Sequence, residues 1–263
     1  MDEIDSASLE VTDLVVTFGG LRAVDGVSLR VPGDGIVGLI GPNGAGKTTL
    51  IDAVTGFVPI AQGSITFAGQ DITDRSAHRR AQRKLSRTFQ SLELFEDLTV
   101  AENVRISTET GHWWRNLAEV FRPRLNRPDV AWALGQFDLQ DTADRVPSEL
   151  SQAQRKFLAL ARAIAARPQV LMLDEPAAGL DHAGTEELGR RLQHLVTEGI
   201  GLLLVDHDMA LVLNVCDLVY VLDTGRVIAC GTPTEIRRNP DVLRSYLGED
   251  EPMSSATDVA GDA

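Results

Sequence analysis

The stretch Gly41-Pro42-Asn43-Gly44-Ala45-Gly46-Lys47-Thr48-Thr49 constrains this chain more than any other. It fits G-x-x-x-x-G-K-[ST], the pattern of a loop that cradles nucleotide phosphates. Its glycines let the backbone turn sharply, so successive N–H groups point into one concavity and meet phosphate oxygens. Lys47 has the reach for the β- and γ-phosphates, and the Thr48 hydroxyl is a ligand for Mg²⁺. The flanks fit as well. Residues 35–40 ahead of the loop are short, apolar and strand-like, and residues 49–54 behind it read as a helix start whose dipole favours an anion. A chance glycine-rich turn has no reason to sit in that setting, so the stretch is read as a nucleotide site.

At 263 residues the chain can bury a sizeable core. Its net charge of −13 argues against nucleic acid as a main partner. Part of the acidic excess lies in residues 1–8 and 249–263, which are polar and read as disordered ends. Cys216 and Cys230 have neither CxxC nor metal spacing and read as reduced core thiols. The longest apolar run, around residues 202–205, falls far short of the ~20 residues that cross a bilayer.

From the start of the chain, residues 9–18 and 23–31 read as strands around the turn Gly19-Gly20. Phe18, at the end of the first, is either a core aromatic or a platform on which a base stacks. Residues 63–70 form a further strand, which suggests a small antiparallel layer beside the nucleotide core. Arg75, His78, Arg79, Arg80, Arg83 and Lys84 make a basic run that reads as a solvated helix face. Gln90 follows and carries no signal by itself. Residues 91 to about 165 read as a mostly helical lobe inserted into an α/β core, with Trp113-Trp114, Pro123 and Pro128 marking an irregular connection.

Within that lobe, Leu150-Ser151-Gln152-Ala153-Gln154 precedes a helix whose apolar face is Phe157, Leu158, Leu160, Ala161 and Ile164. Val170-Leu171-Met172-Leu173 is then a continuous apolar run, as in a fully buried parallel strand, and it ends in Asp174-Glu175-Pro176. Carboxylates just past the C-terminal end of such a strand fall where these sheets bind ligands. That position suits Asp174 to hold Mg²⁺ and Glu175 to polarise an attacking water as general base. A second buried strand, residues 201–205, ends in Asp206-His207-Asp208, which brings His207 to the same sheet edge as a candidate γ-phosphate contact. Residues 218–222 and 226–229 read as a hairpin, followed by two short helices.

In this order the pieces resemble the ATP-binding subunit of ABC transporters, over about residues 9–248. The resemblance implies an α/β P-loop NTPase fold: a mostly parallel sheet, a flanking antiparallel β layer and an inserted helical subdomain. It makes Phe18 the adenine-stacking aromatic and Gly41 to Thr49 the Walker A loop. Gln90 becomes the Q-loop glutamine that touches Mg²⁺, Leu150 to Gln154 the signature motif, and Val170 to Asp174 Walker B. Glu175 becomes the catalytic glutamate, Ala178 to Asp181 the D-loop, and His207 the switch histidine. In that family two cassettes pair head to tail, each ATP lying between one Walker A and the other subunit's signature. Ser151 and Gln154 would thus meet the partner's nucleotide.

Arg87-Thr88-Phe89-Gln90, Asp174-Glu175-Pro176-Ala177-Ala178-Gly179-Leu180, Asp206-His207-Asp208-Met209, Gly231-Thr232-Pro233 and Asn239-Pro240-Asp241-Val242 look like the branched-chain amino acid importer subfamily. This implies an ATP hydrolase at the cytoplasmic face of the membrane that serves permease subunits, a second cassette and, indirectly, a solute-binding protein. A soluble ABC ATPase acting on ribosomes or DNA usually carries two cassettes or a long coiled-coil insert. A third reading is a regulatory module that binds ATP and barely hydrolyses it. The third reading draws on one departure: the signature usually has glycine where this chain has Ala153, and a small or aromatic residue where it has Gln152. A Cβ at position 153 would be costly if the backbone there needs positive φ and cheap if it is helical.

Overall fold

Three strands in the middle of the molecule are buried at every position and apolar except at Asp174, because both of their faces are covered. They are β3 (Ile36–Ile40), β7 (Val170–Asp174) and β8 (Gly201–Val205), buried throughout. The two-residue period of a strand sorts their side chains into two cores. Ile36, Ile40, Leu171, Leu173, Leu202 and Leu204 join one cluster; Val37, Leu39, Val170, Met172, Leu203 and Val205 join the other.

The computed structural model describes residues 9–88, 93–108 and 127–247. Both chain ends read as disordered, together with Phe89, Gln90, Trp113 and Trp114, lie outside these residues. Around the central strands run β6 (Leu85–Arg87), β9 (Leu218–Asp223) and β10 (Arg226–Gly231), in the order β10-β9-β3-β8-β7-β6. All neighbours pair in parallel except the β9–β10 hairpin at one edge. The second sheet is antiparallel, β2-β1-β4-β5, built from β1 (Leu9–Phe18), β2 (Leu21–Val31), β4 (Gln62–Phe67) and β5 (Gln70–Asp71).

Between the two sheets lies α1 (Lys47–Thr55), which buries Leu50, Ile51, Ala53 and Val54 in the second core. The opposite face of the large sheet is covered by α5 (Gln152–Ile164), α6 (His182–Thr197) and α7 (Met209–Val215), while α3 (Val100–Ile106) and α4 (Pro128–Gly135) pack on α5 within the same core. Described residues between 93 and 165 carry helices and turns: α3, α4, one-turn helices at Gln140–Thr142 and Pro147–Glu149, and α5. The chain closes with α8 (Pro233–Arg238) and α9 (Pro240–Leu247).

Two expectations are corrected by this packing. The basic run forms α2 (Ala77–Gln82), but it is not simply a solvated face, because Arg80 is buried. Its guanidinium donates to the carbonyls of Ala53 and Val54 at 2.7 Å each, and also to those of Thr73 and Arg75. A cation there adds donors to the last carbonyls of α1 and complements the negative end of its dipole. Likewise, only one of the two cysteines is a core thiol. Cys216 is buried, and burial pushes its thiol up to about 12, whereas Cys230 is exposed on the edge strand β10.

Candidate nucleotide site

The glycine-rich loop joins β3 to α1, and its conformation explains its glycines. Gly46 has φ +104, and a Cβ there would sit 2.4 Å from the Ala23 carbonyl oxygen. A Cβ on Gly41 would lie 2.0 Å from the Leu222 carbonyl oxygen. The loop is thus pressed against the backbones of β2 and β9, and no other residue type fits at those two points. Pro42 accepts from the Ala45 N–H, and Gly225 donates to the Ala45 carbonyl at 2.9 Å, which pins the loop from a second side. Asn43 and Gly44 form the exposed crown.

Gly46 supplies no side-chain cap to α1, so the first N–H groups, those of Lys47, Thr48 and Thr49, open towards whatever lies beyond the helix start. Lys47 is only 8% exposed. Its ammonium donates to the carbonyls of Gly41 at 2.7 Å and Pro42 at 2.9 Å. Burial pulls its pKa down, and the nearby charges of Glu175 and Asp174 oppose that shift. The lysine, the loop and the two carboxylates therefore form one electrostatic group.

β7 ends at Asp174, a buried carboxylate that burial pushes towards protonation and that Arg87 pulls the other way. Glu175 follows with φ +49, a sparsely populated conformation for a non-glycine residue, while its N–H still donates to the Val205 carbonyl at 2.7 Å. Adjacent β8 ends at Asp206, which is wholly buried and accepts from the N–H groups of Ala177 at 3.2 Å and Asp208 at 2.9 Å. Burial raises its pKa. This carboxylate ties the turn after β7 to the turn after β8. As a result His207 Nδ1 lies 3.8 Å from Glu175 Oε1 and 3.6 Å from Asp206 Oδ1.

Phe18 stands at the end of β1 with 50% of its surface exposed, so it is not a core aromatic. Ser151 and Gln154 are engaged with each other. Ser151 is the N-cap of α5: its Oγ accepts from the Gln154 N–H at 3.3 Å, and Gln154 Oε1 accepts from the Ser151 N–H at 3.0 Å. Ala153 lies in the first turn of α5 and packs against the first core, so the alanine carries no positive-φ strain. Gln152 turns to its own chain, where a Cβ on Gly179 would come within 2.7 Å of its Nε2. One turn on, Lys156 donates to the Pro176 carbonyl at 3.1 Å. Gln90 lies outside the described residues.

The sequence reading missed three of these residues. Arg87 joins Asp174 to Asp52 of α1, Asp206 joins the two strand ends, and Lys156 braces the turn that holds Glu175. In that reading Arg87 and Asp206 appear only as members of motifs, with no role of their own. The mutual cap of Ser151 and Gln154 was readable, since S-x-x-Q before an apolar run is its signature.

A divalent cation fits the donors present. The Thr48 hydroxyl and the Asp174 carboxylate are hard oxygen ligands, and no cluster of three His, Cys, Asp or Glu occurs among the described residues. Mg²⁺ is held in this way, by one or two protein oxygens together with substrate phosphates.

A strand–loop–helix phosphate cradle, with carboxylates and a histidine gathered at the ends of adjoining parallel strands, defines a P-loop nucleotide-binding domain. Comparison with known proteins takes the assignment further. Residues 24–178 match the family model described as ABC transporter, and residues 226–252 match that of the branched-chain amino acid ATP-binding cassette transporter. The high-affinity branched-chain amino acid transport ATP-binding protein BraF of Pseudomonas aeruginosa is 39% identical over 249 residues, 92% of this chain and 98% of BraF. The lipopolysaccharide export system ATP-binding protein LptB of Escherichia coli is 37% identical, over 93% of this chain and 98% of LptB. A solved ATP-binding cassette of an ABC transporter, in its ADP conformation, superposes with a TM-score of 0.81 at 30% identity, covering 92% of this chain and 99% of that one. The chain belongs to the ABC transporter family, as one of its ATP-hydrolysing cassettes.

Proposed function

We propose that this cassette hydrolyses Mg²⁺-ATP to drive import of branched-chain or other apolar amino acids through separate permease subunits. The observation that carries the reading is the convergence of Lys47, Asp174, Glu175 and His207 at one sheet edge. The loop N–H groups and Lys47 bind and orient the phosphates, and Phe18 stacks on the base. Glu175 takes a proton from the attacking water, and His207, beside it, steadies the γ-phosphate. Thr48, Asp174 and Gln90 hold the cation, whose contribution when bound is to offset charge on the phosphate oxygens. Two cassettes pair so that Ser151 and Gln154 of each face the other's nucleotide. Among the described residues no helix is long and apolar enough to cross a membrane, and the permeases supply that part.

The solute assignment draws on the match over residues 226–252 together with BraF, and LptB supplies the competing solute class. The test is ATP-driven uptake by vesicles that carry the cassette, its permeases and a solute-binding protein. Leucine, isoleucine or valine should accumulate. Glu175→Gln should abolish uptake and lower turnover by about 10²–10⁴-fold while leaving ATP binding intact. Transport confined to lipids or sugars would overturn the solute assignment, and near-normal hydrolysis by the variant would overturn the role given to Glu175.

A further inference from the structure

We propose that Arg87 is the built-in counter-cation of Asp174 and sets how much divalent cation the nucleotide site needs. The inference rests on the reading of Asp174 as the cation's carboxylate. Arg87 ends β6, at the edge of the large sheet, with 8% of its side chain exposed. Its Nη2 lies 3.0 Å from Asp174 Oδ2, and its Nη1 is bonded to Asp52 Oδ1. One guanidinium thus spans two elements of the site, the helix that begins at the phosphate loop and the strand that ends at Asp174.

Electrostatics gives this bridge a direction. Asp174 is almost wholly buried, where a charge is weakly screened, so a cation in contact with it strongly reduces the negative potential that a metal ion would meet. A divalent cation arriving at Asp174 finds a carboxylate already partly neutralised by Arg87, with the Lys47 ammonium also in its field. Asp52 decides how the guanidinium is shared. While Asp52 is charged, part of the Arg87 fork is drawn towards α1; without it, more of the positive charge bears on Asp174. Arg87 and Asp52 therefore act on the cation site with opposite signs. A purely mechanical strut between β6, α1 and β7 would have no such sign: loss of either partner would loosen the fold and leave cation demand alone.

Arg87 is accordingly a positioning residue, and the readout is the Mg²⁺ concentration at half-maximal binding of a non-hydrolysable ATP analogue to the full chain. Arg87→Met should lower that midpoint several-fold, Asp52→Asn should raise it several-fold, and Arg87→Lys, which keeps the charge, should stay near the parent. Unchanged midpoints, or shifts of the same sign in Arg87→Met and Asp52→Asn, would overturn the proposal. If Arg87→Met does not fold, Asp52→Asn at its partly exposed position decides alone, since a midpoint equal to or below the parent's overturns it. If the parent chain binds the analogue equally well with and without Mg²⁺, the assignment of Asp174 falls and this inference with it. A Mg²⁺-dependent parent whose variants do not shift leaves that assignment standing and removes only the role of Arg87.

Discussion

The first turns of α1 and α5 are both helix N-termini assigned to phosphate, yet they are built in opposite ways. α1 starts on Gly46, has no side-chain cap, and leaves its N–H groups open beneath a loop jammed against β2 and β9. α5 starts on Ser151, whose hydroxyl and the Gln154 amide close a reciprocal cap over the same kind of groups. The first is an anion site before any anion arrives. The second is capped by its own side chains, which accept in that cap and keep the Ser151 hydroxyl and Gln154 amide hydrogens as donors for another partner. On the pairing proposed above, binding by the isolated chain belongs to α1, and α5 enters when two cassettes meet.

Three substitutions would sharpen or break that contrast. The largest effect is expected at α1: Lys47→Ala removes a desolvated cation from the cradle and should weaken ATP binding by about 2–5 kcal/mol, the cost of truncating a buried charge partner. Calorimetry on the isolated chain checks it, and a loss well below that range would mean that the open N–H groups suffice. At α5, Ser151→Ala deletes the cap and should lower unfolding stability by about 1 kcal/mol. Its ATP affinity in the isolated chain should equal the parent's; a drop there would erase the distinction between the two termini. The smallest effect is assigned to Ala153→Gly. Since Ala153 is helical, glycine should destabilise the fold by at most about 1 kcal/mol, and it should not raise turnover in the assembled transporter. A several-fold rise would show that the Cβ at this position crowds the partner's phosphate even without backbone strain.

The same contrast explains what could be read in the sequence. The phosphate loop and the strands ending at Asp174 and Val205 are local signals: a fixed glycine spacing, and apolar runs too continuous for a one-sided sheet. The antiparallel layer was legible through its turn residues, but residues 63–70, expected as one strand, are divided between β4 and β5 by a turn at Ala68-Gly69. What escaped was long-range charge. Arg80 looks like its exposed neighbours until the chain brings it beneath the end of α1, and Arg87 meets Asp174 only because β6 and β7 pair in parallel. The signature departure was legible, and the structure gives its neighbours a second role. Its positions were weighed as phosphate ligands, whereas a capping box also accounts for Ser151 and Gln154, and contact with Gly179 gives Gln152 a place within its own chain.

The two bonds from Lys47 to the carbonyls of Gly41 and Pro42 bear on which anions the loop can hold. An empty cradle of open N–H groups would be an indiscriminate trap in a cell rich in inorganic phosphate. Here the strongest donor already directs two of its three N–H groups at the loop's own carbonyls, which leaves the third for a guest. A polyphosphate anchored along the helix start can take that third donor and bring several oxygens near the ammonium at once. The loop's own carbonyls thereby aim the ammonium at the helix start in advance, so a nucleotide tail meets a donor whose direction is already set.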